Sequence, residues 1–138
     1  MFLYFLKPFL FCLLLIVASA EDIKRRVIPD GINLCIAGFA CWGLYPENLL
    51  GILASLPFLI AALKGGMGGG DVKLVASCGL VVGLPCALFG SILGLVFLLL
   101  YSLVHRIGVC FFHGKASMAF PMAPFLSVGF MISYLLGL

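Results

Sequence analysis

From Leu74 to Val104 the chain runs for 31 residues without a single charged side chain. One perpendicular membrane span needs about 20 apolar residues, so this stretch is too long for one straight helix. Gly83, Pro85 and Gly90 lie inside it and offer a place to fold it in two. Other apolar runs flank it on both sides. Of the 138 residues, 64% are hydrophobic and only 9% charged, against about a quarter charged in a soluble domain. A body of this size has too little interior to hide that much apolar surface, so lipid is the expected solvent. The expected fold is all-α: a polytopic membrane protein with about six transmembrane helices in one bundle.

The helices are expected at 2–21, 31–45, 49–64, 71–87, 89–106 and 118–137. The second and third are short for a span. The first segment has a competing reading, because Lys7, the run Phe9–Val17 and Ala18-Ser19-Ala20 resemble a signal peptide with a cleavage site. Lys24-Arg25-Arg26 follows immediately, and positive charge there opposes export, so retention as a helix is expected. The loops around Lys24–Arg26, Lys64 and Arg106–Lys115 are basic. The intervening loops carry only Glu47 or no charge. By the positive-inside rule the basic loops face the cytoplasm and both termini the opposite side of the inner membrane.

Charge and cysteine usage remove other classes. A net charge of +3, spread in short clusters between apolar runs, does not make a nucleic-acid-binding face. Six cysteines form no C-x-x-C pair, so they are expected as small buried hydrophobes rather than a zinc site or disulfide framework. No metal and no cofactor is expected.

The candidate chemistry lies in five acids and one glycine cluster. Gly65-Gly66-Met67-Gly68-Gly69-Gly70 runs straight into Asp71 at the start of the fourth helix. Asp22 stands at the end of the first helix, on the same expected face of the membrane. Glu47 is simplest as a solvated turn residue and Asp30, after Pro29, as an N-cap or turn residue. Glu21 would point about 100° away from Asp22, so only one of the two can face a bundle. Asp71 alone is explained as a helix-start acid, and Asp22 alone as a partner of Lys24–Arg26. Taken together in a chain so poor in charge, they also make a paired site. Two carboxylates in reach of one another share a proton. Such a pair can activate water and protonate a leaving amine. His105 and His113, in the last basic loop, are expected to be interfacial.

Three motifs carry a family resemblance. Gly68-Gly69-Gly70-Asp71 fits the GxGD motif of intramembrane aspartyl proteases, and Gly70-Asp71-Val72-Lys73-Leu74 continues as in type IV prepilin peptidases. Asp22-Ile23-Lys24-Arg25-Arg26-Val27-Ile28-Pro29-Asp30 is similar to that family's first motif, and Phe120-Pro121-Met122-Ala123-Pro124-Phe125 to the element opening its last helix. The resemblance implies that Asp22 and Asp71 are catalytic and that Gly68 and Gly70 let backbones approach. It further implies that Lys73 either biases Asp71 or anchors the loop. Its substrate would be a pilin-like single-span precursor, cut between a basic cytoplasmic leader and its apolar helix. Bifunctional relatives carry a cytoplasmic segment with paired C-x-x-C motifs and also N-methylate. Residues 1–138 resemble instead a single transmembrane peptidase domain of the short form serving tad/Flp-type pili. Two alternatives stay open: a non-catalytic transporter or pilus-assembly subunit using its acids for proton or cation binding, and a GxGD protease with other single-span substrates. Gly65 and Gly66 are expected to be dispensable loop.

Overall fold

A computed structural model describes residues 2–41, 45–112 and 120–137. Among them all regular structure is helical: α1 (Phe2–Arg25), α2 (Asp30–Ala40), a 3₁₀ helix (Pro46–Ser55) running directly into α3 (Leu56–Leu63), α4 (Gly69–Val82), α5 (Leu84–Phe112) and α6 (Ala123–Leu136). Lys115 and His113, expected in a basic loop, lie outside the described residues. So do residues 42–44 and 118–119 at the edges of the expected second and last helices.

Two helical stretches, Pro46–Leu63 and Leu84–Cys110, are long and apolar enough to cross a membrane. α2 and α6 are apolar but shorter. At 1.5 Å per residue, α5 is about 43 Å long and α4 about 21 Å, against a hydrocarbon core of about 30 Å. The outer surface is itself apolar: Phe9, Leu34, Leu63, Leu99, Val104 and Leu135 are all largely exposed. The interior, mainly apolar, also holds small polar residues. Ser133 Oγ donates to the carbonyl of Cys86 at 2.7 Å, and Ser19 Oγ makes bonds to Leu15 O at 2.8 Å and Ser127 Oγ at 2.9 Å. Serines between helices with leucines outside are the arrangement expected where the surroundings are lipid.

Several helix boundaries differ from the sequence expectation, each for a local reason. α1 continues to Arg25, where a Glu21–Arg25 pair at 3.3 Å and basic residues in the last turn suit the helix dipole. It ends at Arg26, which adopts the left-handed conformation (φ 54°) while its N–H bonds Asp22 O at 2.8 Å. The long apolar run breaks at Gly83 alone, with φ +86°, and Pro85 falls in the first turn of α5, where a missing N–H costs nothing. Gly90 therefore stays inside α5, as a packing residue. The expected third helix is a 3₁₀ helix before it becomes α3.

α4 is the hub, in contact with α2, α3, α5, α6 and the 3₁₀ helix. Its Leu74, Val75 and Cys78 are fully buried, together with Phe11 and Leu15 of α1, Ile36 of α2 and Phe130 of α6. Two glycine contacts set the closest approaches. A Cβ on Gly79 would lie 2.2 Å from the carbonyl oxygen of Gly51, and one on Gly129 would lie 2.2 Å from that of Gly90. In both cases backbone faces backbone, so neither side can swing away. Gly129→Ala should therefore lower stability by about 1–3 kcal/mol. Gly108→Ala, with nothing within 4 Å of the added methyl, should leave it unchanged or raise it slightly. Thermal unfolding of the detergent-solubilised variants checks both.

Candidate active site

Asp22 is in the last turn of α1 and Asp71 in the first turn of α4. Their residues are 6% and 9% exposed, and no other acid among the described residues is buried. Glu21 is turned to Arg25, so the 100° between successive helical residues puts only Asp22 inward. The two acids, 49 positions apart in sequence, border the same two clefts, and Arg26 and Gly68 border both as well. One cleft, of about 450 Å³, runs between Val27–Asp30 and Gly68–Lys73. The other, of about 460 Å³, runs beneath Leu98, Leu99 and Ser102 of α5 and beside Phe120–Met122. One flank is therefore lined with backbone and charge, the other largely with apolar side chains.

The two carboxyl groups are held differently. Asp22 Oδ2 accepts a hydrogen bond from the backbone N–H of Ala123, 3.0 Å away, at the first residue of α6. Asp71 donates its own backbone N–H to Gly68 O at 3.2 Å, while its side-chain Oδ1 is buried with no partner. Asp71 lies outside both long apolar stretches. Burial first, and the Asp22 charge second, push its carboxyl up from 3.8 to about 6.

The glycines before Asp71 divide by geometry. Gly70 is pressed on the segment between α1 and α2: a Cβ there would meet Ile28 Cβ at 3.3 Å. A Cβ on Gly68 would lie 3.6 Å from Asp71 Oδ2, so any side chain there would enter the clefts beside the acid. Gly65 is not free loop, because its φ of +76° is a left-handed conformation that other residues adopt with strain. Gly66 and Gly69 carry no such requirement.

Lys73 Nζ sits 2.6 Å from Asp30 Oδ1, with both side chains more than half exposed. Its charge is thus directed to Asp30, and the pair links the starts of α2 and α4 at the rim of the first cleft. Asp30 is the first residue of α2, after an N-cap that is Pro29. Glu47 is exposed in the first turn of the 3₁₀ helix. The ring of His105 packs edge-on to Phe120 at 4.9 Å between centroids, an aromatic contact rather than a nucleophile–base pair. Among the described residues no three His, Cys, Asp or Glu side chains come together as a metal site. Two features escape the sequence: the Ala123 N–H and the left-handed Arg26 at the mouth of both clefts. The proline pair around Ala123 was the available signal, but nothing in it points to a residue 101 positions away.

The raised Asp71 has a measurable consequence for stability. Its folded-state value lies above its unfolded one, so the folded state holds the proton longer. Stability is then lost as pH rises from about 3.8 to about 6. Asp71→Asn removes that loss. Its stability relative to the parent should improve between pH 4 and pH 7, on the order of 2 kcal/mol, as measured by denaturation at the two pH values. A double-mutant cycle between Ile28→Ala and Gly70→Ala should show coupling of about 0.5 kcal/mol or more.

Residues 9–104 match the type IV leader peptidase family. A prepilin leader peptidase/N-methyltransferase of Bacillus subtilis (strain 168) is 34% identical over 141 aligned positions, which cover 92% of this chain and 54% of that protein. The chain thus spans about half the length of this curated relative. No solved structure is a significant match. On the extent of the family match and the level of identity, the chain belongs to the type IV leader peptidase family.

Proposed function

We propose that the protein is a membrane aspartyl endopeptidase that removes the basic leader from type IV pilin-like precursors at the cytoplasmic face. The observation that carries this reading is the placement of two buried carboxyl groups, Asp22 and Asp71, on the same pair of clefts. Family membership supports the class of reaction, and the name of the Bacillus relative supports the class of substrate. One acid, ionised, takes a proton from a water that attacks the scissile carbonyl. The other, protonated, hydrogen-bonds the carbonyl oxygen as negative charge develops there. Gly68 keeps side-chain bulk out of the clefts, and Gly70 lets α4 begin close against Ile28.

The clefts suit a substrate with two unlike halves. An extended, polar leader fits the flank formed by Val27–Asp30 and Gly68–Lys73, and an apolar segment fits the flank of Leu98, Leu99 and Phe120. In this reading the chain is a multi-pass protein of the inner membrane. Its basic loops are cytoplasmic, its termini lie on the other side, and Lys73 with Asp30 sits at the cytoplasmic rim.

The decisive test is co-expression with a pilin-like precursor. Asp22→Asn and Asp71→Asn should each lower cleavage by at least about 10²-fold while the protein still inserts, as followed by the size of the precursor on a gel. Cleavage at the parent rate by both variants would sink the dyad. Lys73→Ala, which breaks only an exposed pair, should reduce activity far less than either aspartate change. For orientation, a reporter active only outside the cytoplasm should work when fused after Leu138 and fail when placed at Gly66.

A further inference from the structure

We propose that the two acids have fixed and different roles, set by the start of α6: Asp22 is the ionised general base and Asp71 the protonated general acid. The backbone N–H of Ala123 is the positioning group. The proposal rests on the dyad reading above and goes beyond it, because a dyad alone does not say which acid holds the proton.

The argument starts from the donors at the N-terminus of α6. Pro124 has no N–H, and the N–H of Leu126 is spent on Met122 O at 3.1 Å. Ala123 is the first helical residue, and its N–H is aimed at Asp22 Oδ2. A carboxyl oxygen that accepts this bond is stabilised as an anion, since a hydrogen bond to a charged acceptor is stronger than one to a neutral acceptor. The partial positive charge of the helix start acts in the same direction. Asp71, in the first turn of α4, also lies at a helix start, so the difference between the two acids is the donor, which Asp71 lacks. Its Oδ1 is buried with no donor in reach, and its own N–H is turned to Gly68 O. The nearest lysine in sequence, Lys73, is bound to Asp30. A charge on Asp71 would leave its buried Oδ1 with no donor, so the proton stays there. The other charged groups around the clefts do not reverse this: Arg26 borders both clefts and so bears on both acids, Asp30 and Lys73 are paired with one another, and Glu21 is paired with Arg25.

With these roles the proton balance closes. Asp22 takes a proton from water as the water oxygen bonds to the carbonyl carbon, and Asp71 gives its proton to the carbonyl oxygen. The C–N bond then breaks as Asp22 returns its proton to the nitrogen, and one hydroxyl of the intermediate returns a proton to Asp71. The acid and amine products leave with both groups in their starting states. The N–H of Ala123 is free for an acid on another helix because it is the first residue of α6, and Pro124, with no N–H, offers no competing donor at the next position.

The test reads protonation directly, by infrared absorption of carboxyl groups in the full-length protein at pH 5. Asp22→Asn and Asp71→Asn are each compared with the double variant. The Asp22→Asn protein should retain a protonated-carboxyl band that the double variant lacks. The Asp71→Asn protein should lack that band and show an ionised carboxylate instead. The reverse pattern, or the same pattern in both variants, overturns the assignment. A second measurement addresses Ala123. Ala123→Pro removes the donor, and Ala123→Gly keeps it. The proline variant should lower kcat about tenfold or more with the glycine variant near the parent. In the Asp71→Asn background Ala123→Pro should bring back a protonated carboxyl at pH 5. Equal activity of the two Ala123 variants, with no returning band, would refute the positioning role. Met122 is in the α conformation, which a following proline disfavours; if Ala123→Pro does not fold, the infrared comparison of the two asparagine variants still decides. Inactive asparagine variants with the wrong infrared pattern sink only the role assignment, whereas active ones sink the dyad itself.

Discussion

The bond from Ala123 N–H to Asp22 ties the first helix to the last across 101 residues, and the site is organised by it. A buried carboxylate is unfavourable by several kcal/mol unless it is paired or hydrogen-bonded. α1 carries Asp22 inward on the same face as the fully buried Phe11, Leu15 and Ala18, so the acid cannot turn to solvent without unpacking them. α6 supplies the compensation from its own first residue. The contact between α1 and α6 is reinforced by Ser19, Ser127 and the carbonyl of Leu15. A polar seam thus runs beside the apolar core and ends at the acid.

α4 supplies the second acid from the opposite direction. Its burial among its neighbours leaves Asp71 few ways to move, and the glycine contact with the 3₁₀ helix brings the backbones so close that the helix has no room to shift. That placement raises the Asp71 carboxyl, through burial first and the Asp22 charge second. Both clefts that the pair borders are open, although each acid is itself buried.

The relation between sequence and structure differs from feature to feature. The acids could be picked out from the chain because charge is so scarce that every buried position for it is costly. Helical geometry allows only one of Glu21 and Asp22 to face inward, and the packing of α1 decides that it is Asp22. Helix ends were less legible. Gly83, Pro85 and Gly90 all read as breakers, and only packing distinguishes them: Gly83 takes the left-handed turn, while Gly90 is needed inside α5 as a close contact for Gly129. Gly65 looked dispensable because composition does not reveal the sign of φ. Lys73 stands two positions after Asp71 in sequence, a separation that on a helix turns its side chain away, toward Asp30.

Local information therefore determined the helical class, the apolar exterior, the two acids and the family motifs, because periodicity, hydropathy and charge are properties of short stretches. Contacts between distant residues decided the rest. Which backbone N–H serves which acid, which glycine must be glycine, and which carboxyl group has no partner all depend on how the helices pack. Hydrogen bonds and steric limits act over about 3–4 Å, and residues 49 or 101 positions apart meet at that range only after the chain has folded.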